Sequence, residues 1–210
     1  MNKFILVVFA VCLFTGCAVA PVKQVAVNQI IPIQKENSKR IQFKGVIFKV
    51  KHAGIIGESQ AGYFCVPHGS LYFNKLVAES LRDDFNQIFL EESANAGYNV
   101  ASPSNSVFED INPNTEFLIS GTVNEFLSNQ CQIGLSVKGS NYLKINWEIY
   151  SVQEKKIIYS KITEGSSLVE KFETGQPNIL TLRAFNAAIT NLLSDNGFHD
   201  LISKDPGPSQ

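Results

Sequence analysis

Apolar residues recur along this chain with two periods, and the order of those periods predicts its elements. Ile41 to Val50 alternates, with Phe43, Gly45, Ile47 and Lys49 on one face and Lys44, Val46, Phe48 and Val50 on the other. Asn74 to about Asn95 switches to helical spacing, with Val77, Leu81, Phe85, Ile88 and Phe89 on one stripe. Asn74 is the expected N-cap, and Ala96-Gly97 the expected end. Tyr98 to Ala101 reads as a short strand. Thr115 to Leu127 is a long strand whose Gly121 suggests a bulge or a close approach. Tyr142 to Val152 alternates most cleanly: Leu143, Ile145, Trp147 and Ile149 face one way, and Lys144, Asn146, Glu148 and Tyr150 the other. Gln153 to Lys156 turns the chain, and Ile157 to Thr163 returns beside it. Leu180 to Leu193 is a second amphipathic helix, with Ala184, Ala187 and Ala188 small enough to lie close on a sheet and Asn196-Gly197 as its stop. The series predicts an α+β fold, a mainly antiparallel sheet with two amphipathic helices packed on one face.

The stretches without period mark the boundaries. Residues 41–202 form the expected domain. Residues 203–210 hold two Pro and a Gly and are expected to fray. Residues 17–40 read as a tether, which as a flexible coil would reach about 25 Å. Val25, Val27, Ile30, Ile31 and Ile33 stand out in it as an apolar segment able to dock a partner or add to a sheet edge, with Ile30 and Ile31 its candidate contacts. His52 to Ser70 is glycine-rich, a long loop or irregular hairpin with Tyr63-Phe64-Cys65-Val66 as its ordered part.

The N-terminus supplies an address. Lys3 precedes an unbroken apolar run from Phe4 to Phe14, of signal-peptide length and too short to span a bilayer. Thr15-Gly16-Cys17 follows, and Phe14 to Cys17 resembles the bacterial lipobox, in which the cysteine is acylated and becomes residue one. Residues 1–16 are then a lipoprotein signal peptide and Cys17 carries the lipid. The bland alternative is an ordinary secretory signal cut near Ala18 or Ala20.

Composition agrees with a packed exported domain. Hydrophobic residues make up 44% and charged residues 18% of 210. Losing Lys3 with the signal leaves 17 basic against 19 acidic side chains, a net −2 with no concentrated basic face for nucleic acid. Cys12 leaves with the signal, so the mature domain keeps Cys65 and Cys131, an even pair suited to a disulfide in an oxidising compartment. Two separate thiols or a thiol nucleophile are the alternatives. Three histidines without Cys-x-x-Cys spacing give no metal site, and no cofactor motif stands out.

Candidate chemistry is sparse. His68-Gly69-Ser70 lies near Cys65, but a nucleophile needs a base and an orienting group in geometry that adjacency does not supply. Asp83-Asp84 and Glu91-Glu92 fall on the polar side of a helix, and Glu109-Asp110 in a loop, where solvation explains them. No catalytic residue is assigned. Trp147 belongs to the apolar stripe, which leaves Tyr150 and Tyr159, with Ile30 and Ile31, as candidate partner contacts.

The lipobox, the first helix, Phe117 to Phe126 with its Gly121-Thr122-Val123, Leu143 to Tyr150, and Ala184-Phe185-Asn186-Ala187-Ala188 together resemble the ABC-type transport auxiliary lipoproteins and related small envelope lipoproteins. The likeness spans roughly residues 75–202. It implies a final helix packed across a sheet and, with Ala18 after the cysteine in place of the inner-membrane Asp, the periplasmic face of the outer membrane. The expected function is a non-enzymatic adapter or assembly component of an envelope transport or secretion system, membrane-bound through its lipid and meeting an envelope protein partner. A lipid- or small-ligand-binding module, and an enzyme or inhibitor-like domain built on residues 52–70, are the competing readings.

Overall fold

A computed structural model describes residues 21–101, 111–112, 114–175 and 178–204. The expected signal peptide and Cys17 lie outside the described residues. The strands are β1 (Ile41–Phe48), β2 (Ile55–Ala61), β3 (Val66–Tyr72), β4 (Phe117–Ile133), β5 (Ser136–Ser151) and β6 (Lys156–Thr174). The helices are α1 (Lys75–Ser80), α2 (Arg82–Asn95), α3 (Ile179–Leu193) and α4 (Asn196–Ile202). The six strands form one sheet in the order β3-β2-β4-β5-β6, with β1 also on β4. The class is α+β: β4, β5 and β6 form a long antiparallel meander, and α2 and α3 cover one face.

The length of β4 explains the one irregularity of this order. Its first half pairs in parallel with β1, from Ile41–Phe117 to Phe48–Val123. Its far end pairs in parallel with β2, from Ser59–Gln130 to Ala61–Gln132. Two short strands therefore share one edge of a 17-residue strand.

The core lies between sheet and helices. Ile145, Trp147 and Ile149 on the inner face of β5 are fully buried, and Phe85 of α2 stacks on Phe185 of α3 at 3.9 Å between ring centroids. Trp147 Nε1 donates to Thr163 Oγ1 at 2.7 Å, and that hydroxyl donates to Ala188 O at 2.8 Å, so the buried indole N–H is satisfied and β5, β6 and α3 are linked. Gly165 lets α3 lie close on β6: a Cβ there would stand 2.1 Å from Ala184 O and 2.4 Å from Ala188 N.

Several elements differ from strict periodicity. Gly45, at φ +101°, sits in a register shift between Phe43 and Val46. The extra residues put Phe43 and Phe48 on one face, against Phe89 and Phe85, where simple alternation had opposed them. The helix expected over 74–95 is interrupted at the buried Leu81. Tyr98 to Ala101 makes only a bridge, Val100 to Ile41. β6 runs on to Thr174, because its alternate residues Thr163, Gly165, Ser167 and Val169 are the small inner face beneath α3. Asn196-Gly197 opens α4 rather than closing α3: Asp195 Oδ1 accepts from Phe198 N at 3.0 Å, and Phe198 is fully buried.

The tether expectation is corrected for residues 21–40, which form a strap along the domain. Val22 N donates to Ser140 Oγ on β5, and Val25 N to Ser166 Oγ on β6. Asn191 of α3 accepts from Asn28 N and donates to Ala26 O, so the strap passes round β6 to the helical layer. Ile33 N then donates to Ala96 O, and Lys39 N to Ile202 O. Of the tail expected to fray, Ser203 is buried and bridges Ser38, and Lys204 N donates to Asn37 O. Backbone groups of the two chain ends satisfy one another, which a free coil would leave to water.

Candidate interaction surface

The glycine-rich segment is a β-hairpin, β2 and β3, whose turn is Gly62 to Cys65. Tyr63, Phe64 and Cys65 therefore form the tip of the hairpin, in the stretch expected to be its ordered part. Gly62 at φ +75° and Cys65 at φ +49° supply the left-handed conformations such a turn needs. Cys65 is joined to Cys131 on β4 by a disulfide with Cα atoms 5.4 Å apart, and Gly62 N donates to Gln132 O at 2.9 Å. Both half-cystines are buried, while their neighbours are not: Tyr63 is 76%, Phe64 89% and Val66 60% exposed. Leu135, in the adjoining β4–β5 turn, is 84% exposed. Phe172 near the end of β6 meets Tyr63 edge-on at 6.2 Å.

β3 is an edge of the sheet and is exposed along nearly its whole length. His68 and Ser70 lie on it in the open, and among the described residues no hydrogen bond joins either to a carboxylate. No cluster of three or more His, Cys, Asp or Glu suited to a metal occurs among the described residues.

Behind the hairpin, under α1, lies a cavity of about 240 Å³. Phe48, Phe73, Leu81 and Phe126 form its apolar wall, and Ser128, Gln130 and Thr181 its polar end. Asn141, its amide oriented by its neighbours, donates to Ser128 Oγ at 2.7 Å and accepts from Thr181 Oγ1 at 2.7 Å. That ties the first turn of α3 to the sheet and uses the polar capacity of this end. The cavity is smaller than the roughly 300–1,000 Å³ usual for ligand sites.

The candidate partner contacts do not converge. Ile30 packs on the core, and Ile31 is half-buried with its N–H on Leu193 O. Tyr159 turns to the inner face beside Ile149 and donates to Asp195 Oδ1. Burial and that carboxylate raise the Tyr159 pKa. Asp195 also takes Lys161 on Oδ2; burial acts to raise its pKa, but the hydrogen bonds from Lys161, Tyr159 and Phe198 N outweigh it and hold the carboxyl below its usual range. Tyr150 alone faces outward, between Leu118 and the exposed Ile157. On the same outer face the strap places Lys23 on Glu164 and over Tyr142; the Lys23 hydrogen bond lowers the Glu164 pKa, and burial with Glu164 raises that of Tyr142.

The sequence reading missed the tip as a surface. Its signal was present: two aromatics between a glycine and a cysteine, in a glycine-punctuated stretch, fit the turn of a hairpin.

No helix of the described residues is long and apolar enough to cross a membrane. No family model matches the sequence, and no curated protein matches it. Among solved structures, the chain is similar to the PelC dodecamer from Paraburkholderia phytofirmans, at 13% identity over 83% of this chain and 97% of that one, with a TM-score of 0.38. A protein from Xanthomonas campestris aligns at 11% identity over 87% and 93%, with a TM-score of 0.40. A lipoprotein from Neisseria meningitidis aligns at 8% identity over 68% and 90%, with a TM-score of 0.28. At such scores the likeness extends to no family and to no function.

Proposed function

We propose that this chain is a non-enzymatic lipoprotein of the bacterial envelope, anchored through Cys17 on the periplasmic face of the outer membrane. Its domain serves as an adapter or assembly component of a transport or secretion system. The observation that carries the adapter reading is the open edge of the sheet. β3, paired with β2 on one side only, offers an open edge, exposed along its length, to which a partner's strand can add by main-chain hydrogen bonds. Tyr150 and Ile157 on the outer face add apolar contact area at the other end. The resemblance to ABC-type transport auxiliary lipoproteins suggests the kind of machine. The open setting of His68 and Ser70 supports assigning neither a catalytic role.

Two measurements test this. Cys17→Ser should move the protein from the membrane fraction to the soluble periplasm; retention after a high-salt wash would put the anchor elsewhere. A photo-crosslinking residue at His68 or Ser70 should join an envelope protein in living cells, while His68→Ala with Ser70→Ala still complements a deletion strain. Loss of function in that folded double variant would move the enzyme reading to the front.

A further inference from the structure

We infer that the aromatic tip of the β2–β3 hairpin is a second membrane contact, which inserts into the lipid interface beside the acyl anchor. The inference rests on the lipoprotein reading above. Its occupant is a phospholipid surface.

The first observation is where the strap ends. The described chain begins at Pro21, beside Lys138, Gly139, Leu168 and Glu170, and Val22 N is held by Ser140 Oγ at 2.9 Å. From Asn28 to Val22 the strap advances along β6 and β5 toward their 170s and 130s end, as its partners Asn191, Ser166 and Ser140 show. Cys17 is four residues further, and four residues extend at most about 14 Å. The anchor is thus confined near this end of the sheet.

The second observation is what else stands there. Cys131 pairs with Lys138, and Gly139 with Val169, so the β4–β5 turn and the hairpin tip lie at the same end. Leu135 is four residues beyond Gly139, or about 13 Å along the strand. At this end Phe64, Tyr63, Leu135 and Val66 expose their side chains, and the disulfide fixes the tip that carries them. Tyrosine and phenylalanine on a rigid turn suit the headgroup boundary, where a ring is wetted on one side and apolar on the other. Lys138 Nζ lies 4.9 Å from the Phe172 ring centroid, placing a cation behind the aromatics at headgroup level. Insertion would hold the domain in one orientation, with Tyr150 and Ile157, at the far end of β5 and β6, directed into the periplasm.

The test uses the full mature chain, purified from membranes with its native N-terminus and reconstituted into phosphatidylethanolamine–phosphatidylglycerol vesicles. Phe64→Trp places a reporter at the tip, and Ile157→Trp a control at the opposite end. Trp147 is fully buried and gives a constant background. The expected result is that Trp emission from the Phe64 variant shifts to the blue and loses most of its intensity when the vesicles contain brominated acyl chains, while the Ile157 variant is unchanged. The effect should persist at high salt, because the insertion is apolar. A lipidated chain whose position-64 reporter is not quenched overturns the inference and leaves the anchor intact. A reporter shielded from aqueous quencher but untouched by bromolipid means that protein covers the tip, which also overturns it. An N-terminal mass without acyl chains overturns the anchor reading, and with it the membrane placement of the tip.

Discussion

Breaking the Cys65–Cys131 bond tests how the hairpin is attached. The two residues are 66 apart in sequence. Opening a loop of that size restores denatured-chain entropy worth about 4 kcal/mol in the chain-entropy treatment. With a urea slope of roughly 2 kcal/mol/M, the unfolding midpoint should fall by about 2 M. Cys65→Ala, Cys131→Ala and the double variant should lose the same amount, since each removes the same bond. The loss should also be local. The β2–β4 ladder is short, Ser59–Gln130 to Ala61–Gln132, so the tip depends on the disulfide more than the meander does. Hydrogen exchange at the Gly62 amide, which donates to Gln132 O, should quicken more than at Ile145 in β5. Equilibrium urea unfolding of the three variants, with thiol labelling of the unreduced unfolded parent, measures both parts. A double variant that costs the sum of the singles, or stoichiometric labelling of the parent, would refute the reasoning.

Gly165→Ala places a methyl group 2.1 Å from the Ala184 carbonyl, so α3 must shift; a loss of about 2 kcal/mol or more is expected in thermal or urea unfolding. Asp195→Asn keeps an N-cap for α4 but removes the charge held by Lys161; with Lys161 43% exposed, screening limits the loss to about 1 kcal/mol at neutral pH. Because the folded Asp195 pKa is lowered, that advantage over Asn is present above the unfolded carboxyl value of about 3.9 and disappears as pH falls through the lower folded value, which pH-dependent unfolding of parent and variant will show. Ala78→Phe fills part of the cavity under α1; the adapter reading expects full complementation of a deletion strain, and loss of function in a folded variant would favour the ligand-binding reading.

Most of the meander was legible in the sequence because β4 and β5 alternate buried and more open positions, so period 2 reports the sheet directly; β5 nevertheless starts at Ser136 rather than at the expected Tyr142, because Gly139, Ser140 and Asn141 read as a turn although they pair within the sheet. The helix α3 was legible for the matching reason, with its Ala184 and Ala188 meeting Gly165. β1 misled because one glycine at φ +101° changes the phase of the alternation without changing composition. β6 was truncated at Thr163 because Gly165 and Ser167 are buried by virtue of smallness, not apolarity. The strap could not be read at all. Its hydrogen bonds join backbone to serine and asparagine side chains more than 100 residues away, and such pairings leave no local pattern. The tip was hidden differently, since exposed aromatics look like core residues until the turn that displays them is placed.

Three features that the sequence scatters meet at one end of the sheet, and their combination constrains function more than any one does. The strap brings Pro21 there, the disulfide fixes the hairpin there, and the β4–β5 turn adds Leu135. A flexible tether would let the domain sample all orientations within about 25 Å of the membrane. A strap held by Ser140, Ser166 and Asn191 removes that freedom and leaves only three residues between Cys17 and Pro21, the first described position. For an adapter this matters thermodynamically. A partner that binds a domain already oriented forgoes part of the rotational cost of association, so a modest contact at the β3 edge or around Tyr150 suffices. Lengthening the segment between Cys17 and Pro21 with glycine and serine should then weaken function in a complementation assay, even though no contact surface has changed.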